Sequence, residues 1–226
     1  MKRILSFFVT PFIRLILRVI CRIDAAELET LPGKGPYIIV MNHVNFLEVP
    51  VIYTFLSSRN PSSLVKEETW KNPFLGFLGH IWNAIPLKRG VADFGAFKAA
   101  EQVLKSGGIL IIAPEGTRSL DGILRKGHPG AAFLAMRNRV PIYPAVHFGG
   151  EGFFEKLKRF KRTRLQWRVG APFVVIPEKG GHLHQKITDE IMGRIASLLP
   201  EAQRGIYAEE ALAVPTHLRL CGAKDV

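Results

Sequence analysis

An imidazole and a carboxylate five residues apart, His43 and Glu48 in Met41-Asn42-His43-Val44-Asn45-Phe46-Leu47-Glu48, have the types and spacing to move a proton. A neutral imidazole, with a reference pKa of about 6.5, accepts a hydroxyl proton, and a carboxylate on its other nitrogen orients the ring. Positions five apart on an ideal helix lie about 140° apart, so the two side chains meet only if the chain turns between them. The apolar run Tyr37-Ile38-Ile39-Val40 before them predicts a strand. His43 is then expected in a strand-to-helix loop. Glu48 falls at the first turn of a helix over 49–56, where a carboxylate also suits the positive end of the helix dipole.

A second stretch repeats this layout. Gly107-Gly108 stops a helix, Ile109-Leu110-Ile111-Ile112 reads as a buried strand, and Ala113-Pro114-Glu115-Gly116-Thr117-Arg118-Ser119 as a polar loop. In an open α/β sheet, the loops at the carboxyl ends of strands are where sites assemble. Ile85-Pro86-Leu87 is a third short strand, ending in Lys88-Arg89, and a guanidinium there matches phosphate oxygens bidentately. Asp93 is placed to cap a helix over 94–106, and a further helix follows Lys126-Gly127-His128-Pro129-Gly130 and runs through Arg137. Val140 to Val146 is the next strand, 164–175 holds one or two more, and 187–199 forms a last amphipathic helix. Strands alternating with helices of about a dozen residues predict an α/β fold with a mostly parallel central sheet flanked by helices. The chain divides into an N-terminal segment 1–30, an α/β unit 31–200 and a C-terminal tail 201–226.

Charge is concentrated. The 226 residues carry a formal net charge of +12, of which residues 1–23 supply +5 and residues 155–168 supply +6. The first segment sets Arg14, Arg18 and Arg22 along one stripe of an otherwise apolar helix, with Thr10 expected as an N-cap and Pro11 as the first residue of a restarted helix. Three arginines exclude a clean spanning segment of roughly 20 apolar residues. An amphipathic helix in the membrane interface fits better, its cations meeting anionic headgroups. The second basic segment is interleaved with Phe153, Phe154, Phe160 and Trp167. Aromatics among cations also suit single-stranded nucleic acid, but no nucleic-acid motif accompanies them, so an anionic membrane surface is the expected partner. Cys21 and Cys221 alone make no zinc set, and His182 and His184 have no ligands at metal spacing, so no metal is expected.

Taken in order, these stretches resemble the 1-acylglycerol-3-phosphate acyltransferase family of lysophospholipid acyltransferases. Asn42-His43 with Glu48 resembles the family's Asn-His-x4-Asp motif, with Glu in place of Asp. Ile85-Pro86-Leu87-Lys88-Arg89 is similar to the second motif, Pro114-Glu115-Gly116-Thr117-Arg118-Ser119 to the third and Val140-Pro141-Ile142-Tyr143-Pro144 to the fourth. Asn45 stands where Ser is common, and Asn83 where Gly is common. The resemblance implies transfer of a fatty acyl group from a thioester to the free hydroxyl of a lysophospholipid, lysophosphatidic acid giving phosphatidic acid, without a covalent acyl-enzyme. It implies His43 as general base oriented by Glu48, with Arg89, Glu115, Gly116, Thr117, Arg118 and Lys126 as the acceptor site. It further implies no cofactor, acyl-CoA or acyl-acyl carrier protein as co-substrate, and a peripheral or monotopic place on the cytoplasmic face of a membrane. Acylation of a different lysophospholipid or an amino-acid lipid, and non-catalytic lipid binding on the same fold, are the alternatives.

Overall fold

Tyr37-Ile38-Ile39-Val40-Met41 is buried at every position, which a strand allows only when both of its faces are covered. The computed structural model, which describes residues 2–88, 90, 91, 93–176 and 183–222, sets this strand in the middle of a mixed sheet. The elements run α1 (Lys2–Ile20), β1 (Cys21–Asp24), β2 (Tyr37–Met41), α2 (Glu48–Phe55), β3 (Ser62–Lys66), α3 (Pro73–Ile81), β4 (Ile85–Leu87) and α4 (Phe94–Lys105). They continue with β5 (Ile109–Ile112), α5 (Gly130–Asn138), β6 (Ile142–Phe148), α6 (Phe153–Lys158), β7 (Thr163–Val169), β8 (Phe173–Val175), α7 (Leu183–Leu198) and β9 (Leu218–Leu220).

The strand order is β1-β7-β6-β2-β5-β3-β4, with β8 paired to β6 and β9 to β8. From β6 through β4 all neighbours are parallel, and β7, β8 and β9 bring the antiparallel pairings. The fold is therefore the mostly parallel α/β sheet that the alternation of elements predicts. Strand β1 pairs with β7 and strand β9 with β8, so the stretches on either side of 31–200 are built into the same sheet.

Alternation along the strands divides two cores. Ile38, Val40, Leu110, Ile112, Ile142 and Val146 face α4, α5 and α7, whereas Tyr37, Ile39, Met41, Ile109, Ile111 and Tyr143 face α1 and α2. Each aliphatic side chain fully buried there contributes about 1.5–3 kcal/mol. Because β2, β5, β6 and β4 run parallel, the chain leaves all four at one edge of the sheet. That edge collects Asn42-His43, Ala113 to Ser119, Gly149-Gly150 and Lys88.

Helix α1 differs from the expected restart at Thr10-Pro11. It is one helix with Pro11 inside it. Thr10 is buried, and its hydroxyl accepts a hydrogen bond from Trp82 Nε1 at 3.1 Å instead of capping a turn. Leu17, with Val9 and Ile13 beside it, packs into the core next to α2, and that packing outweighs the main-chain bond that Pro11 removes. The arginine stripe is also split. Arg14 lies over the Phe55 ring at 4.2 Å and is half-buried, while Arg18 and Arg22 are exposed. The outer face of α1 is apolar, with Phe7, Phe8, Phe12, Leu15 and Val19 all at least 60% exposed. Among the described residues, no helix is long and apolar enough to cross a membrane.

Candidate active site

His43 sits two residues beyond the end of β2, and Glu48 is the first residue of α2. The turn between them is built by Asn45. Its Oδ1 accepts from Leu47 N at 2.8 Å, its Nδ2 donates to Gly150 O at 2.9 Å, and its own N–H donates to Glu48 Oε2 at 2.9 Å. A Cβ on Gly150 would meet Asn45 Nδ2 at 2.7 Å, so glycine is required there for the side chain to enter. The turn brings His43 Nδ1 onto Glu48 Oε1. The His43 side chain is 15% exposed and that of Glu48 is 1% exposed. Nδ1 is thereby committed to the carboxylate, and Nε2 is the ring nitrogen left to handle a substrate proton.

The main chain at this point is clamped from three sides. Asn42 extends the β2–β6 ladder with its side chain, Nδ2 donating to His147 O and Oδ1 accepting from His147 N, both at 2.9 Å. His43 N donates to Glu115 Oε1 at 2.7 Å, and His43 O accepts from Ser119 N at 2.7 Å. Removing a partner such as Asn42 would leave buried backbone groups unpaired, at about 1–3 kcal/mol each. The loop after β5 thus holds the peptide of His43 from both ends.

Glu115 is buried, and its second oxygen accepts from Arg125 N at 2.8 Å. Both of its oxygens are therefore turned to main-chain amides, one in each of two loops. Burial pushes its carboxyl up to about 7, against the pull of the Arg125 and His43 amides. Burial also acts to raise Glu48, but there the His147 and His43 imidazoles outweigh it and hold the carboxyl down at about 2.

Gly116 has a φ of 61°, in the left-handed region, and leads into Thr117 and Arg118, both exposed. Lys126 is exposed on a loop held by neighbours: His128 N donates to Pro114 O at 2.8 Å and Gly127 N to Tyr207 Oη at 3.0 Å, while Tyr207 Oη donates to Asp189 at 2.9 Å. The hydrogen bonds from Arg125 and His128 to Glu115 and Pro114 tie this loop to the one carrying Arg118. Arg89 and His182 lie outside the described residues.

Three further residues contribute to the site. Ser119 closes the third motif, and its N–H and hydroxyl both hold the His43 carbonyl. Tyr207, in a stretch without a periodic pattern, steadies the Lys126 loop. His147 lies with Nε2 2.9 Å from Glu48 Oε2. The expected strand ends at Val146, whereas β6 continues to Phe148. Residue 147 shares the parity of Tyr143 and Ala145 and so faces the α2 side, a signal that a strand two residues longer would have exposed.

A groove of about 570 Å3 opens at the opposite edge, where Ser62 and Ile85 begin β3 and β4, and it contains none of these loop residues. Among the described residues, no set of three His, Cys, Asp or Glu side chains could hold a metal ion.

Comparison with known proteins gives these features a context. A family model described as Acyltransferase matches residues 22–147, more than half of the chain. The 1-acyl-sn-glycerol-3-phosphate acyltransferase BAT2 of Brassica napus chloroplasts is 32% identical over 130 residues, covering 56% of this chain and 37% of that protein. The chain thus spans little more than a third of the length of this plant relative. The 1-acyl-sn-glycerol-3-phosphate acyltransferase of Bacillus subtilis is 25% identical over 178 residues, covering 76% of this chain and 86% of that protein. The crystal structure of the 1-acyl-sn-glycerophosphate acyltransferase PlsC from Thermotoga maritima superposes with a TM-score of 0.63 at 21% identity, covering 84% of this chain and 77% of that one, a likeness of fold.

Proposed function

Because this chain belongs to the Acyltransferase family, we propose that it is an O-acyltransferase moving a fatty acyl group from an acyl thioester to the free hydroxyl of lysophosphatidic acid, giving phosphatidic acid. The observation that carries the reading is the His43–Glu48 pair, formed at the edge where the Arg118 loop also emerges. The names of the relatives in Brassica napus and Bacillus subtilis support the choice of acceptor.

In this reading His43 Nε2 takes the proton of the acceptor hydroxyl as its oxygen attacks the thioester carbon. Glu48 stabilises the imidazolium that forms, as the acid of a Ser-His-Asp triad does, with the substrate hydroxyl in place of the serine. Collapse of the tetrahedral intermediate breaks the C–S bond, and the imidazolium returns its proton to the leaving thiolate. Exposed Arg118 and Lys126, with Arg89, hold the acceptor phosphate. Glu115, Gly116 and Thr117 shape the loop on which Arg118 is offered. No cofactor takes part. The acyl donor is acyl-CoA or acyl-acyl carrier protein, the step being the same with either thioester.

The acceptor is drawn from an anionic bilayer to which the protein binds peripherally or monotopically, on the cytoplasmic face. Two exposed apolar surfaces support this. One is the outer face of α1, beside which α3 exposes Phe74 and Leu75. The other surrounds α6, where Phe154 stacks on Phe46 of the His43 loop at 5.3 Å and Phe160 is 99% exposed between Arg159 and Lys161. Insertion of those rings with lysines and arginines at the headgroups is the pattern of an interfacial anchor.

The test is acyl transfer on anionic vesicles to lysophosphatidic acid, to a lysophospholipid without a phosphate monoester and to an amino-acid lipid. Preference for lysophosphatidic acid is expected. Preference for either other acceptor would move the assignment to that lipid. Vesicle binding without transfer to any of them would leave lipid binding alone.

A further inference from the structure

Glu48 meets two imidazoles. While Oε1 faces His43, Oε2 accepts the Asn45 amide and lies 2.9 Å from Nε2 of His147. His147 is 1% exposed, and its ring has little freedom to move. Its backbone N–H and C=O are both taken by the Asn42 side chain, and its ring lies against Trp167 with centroids 5.1 Å apart and planes at 33°. Nε2 has no aligned hydrogen-bond partner, so its attraction to the Glu48 oxygen is electrostatic more than directional. That nitrogen is buried at the back of the carboxylate that holds the His43 ring.

We propose that His147 is a positioning residue, whose fixed imidazole holds the plane of the Glu48 carboxylate so that Oε1 stays on His43 Nδ1. The terminal torsion of a glutamate is broad, and its side chain has one more rotatable bond than an aspartate. A carboxylate on that longer arm needs a second anchor to present one oxygen steadily. Asn45 N–H, within the loop, supplies one contact to Oε2, and His147, on β6, the other. The groups around His147 are Glu48 on α2 and, farther off, Glu115 after β5, with the neutral Trp167 on β7 against its face. His147 itself reaches the reaction only through Glu48.

The turnover arm of the test rests on the acyltransferase reading, and the spectroscopic arm does not. His147→Phe keeps a ring against Trp167 and removes the nitrogen. It should lower kcat for lysophosphatidic acid about 10- to 100-fold with the acceptor KM within about twofold. His147→Gln, whose amide can reach Oε2, should recover most of that loss. In a Glu48→Gln background, His147→Phe should cost less than about twofold, because the route of its effect is gone. Nitrogen-15 NMR of the His43 ring should show an Nδ1 proton protected from exchange in the parent and lost to exchange in His147→Phe. Should the phenylalanine variant fail to fold, His147→Asn, polar but too short to reach Oε2, takes its place. Parent-like kcat together with a parent-like His43 signal in the folded variant would overturn the proposal, as would an undiminished loss in the Glu48→Gln background. A parent inactive on every acceptor refutes the substrate reading and leaves the NMR comparison to decide this one.

Discussion

Two carboxylates touch His43, and burial treats them alike while their partners do not. Glu48 and Glu115 are 2% and 1% exposed, and desolvation pushes both toward the neutral acid. Glu48, between the His147 and His43 rings, ends at about 2, whereas Glu115, met by the two amides of Arg125 and His43 and by the nearby charge of Glu48, ends at about 7. Imidazoles keep the first an anion, suited to stabilising a cationic ring. Burial, only partly offset by the backbone dipoles, leaves the second near the point of neutralisation, suited to pinning two loops together. The same side-chain chemistry thus serves electrostatics after β2 and scaffolding after β5.

The contrast also sets opposite responses to pH. Glu48 is depressed from 4.5 to about 2, so the stability it contributes is complete above pH 4.5 and is lost as pH falls toward 2. Glu115 is raised from 4.5 to about 7, so the folded state holds a proton that the unfolded chain has released, and stability declines as pH rises from 4.5 to 7.

Glu48→Asp tests the contrast hardest. One methylene fewer moves the carboxylate by about 1 Å, so it cannot keep both His43 and the contacts of Oε2, and kcat is expected to fall about 100-fold in steady-state transfer. A rise in kcat would mean that the longer side chain impairs this site. Arg118→Ala, on the loop that Glu115 pins, should raise the acceptor KM about tenfold with the donor KM unchanged, the loss of a charge-assisted contact. An effect confined to the donor would remove Arg118 from the phosphate site. Glu115→Gln should have the smallest effect. Urea unfolding at pH 5 and pH 7 should show the parent losing stability over this interval and the variant losing less. Equal slopes would take Glu115 out of that titration.

Much of this arrangement is legible from local pattern. The apolar runs at 37–40 and 109–112 predict buried parallel strands, Asp93 accepts from Ala96 N at 3.0 Å as its capping position predicts, and the turn between His43 and Glu48 follows from helix geometry. Asn83, where the resembled family commonly has Gly, has a φ of 52°, a conformation that Asn tolerates better than most residues. What local pattern misses depends on partners far along the chain. Thr10 reads as a cap but bonds to Trp82, and Arg14 reads as part of an outward stripe but lies over Phe55. His147 falls just past the expected strand, and its place in β6 shows only once Asn42, 105 residues earlier, is seen to hold its backbone. Tyr207 gains meaning through Gly127, 80 residues earlier, and Asp189.

The central claim is that His43 is the base of an acyl transfer. The direct measurement is turnover of a long-chain acyl thioester with lysophosphatidic acid on anionic vesicles by the parent and by His43→Ala, with vesicle binding followed alongside. Turnover in the parent that falls at least about 100-fold in His43→Ala, with vesicle binding unchanged, is the predicted result. Undiminished turnover in His43→Ala would contradict it.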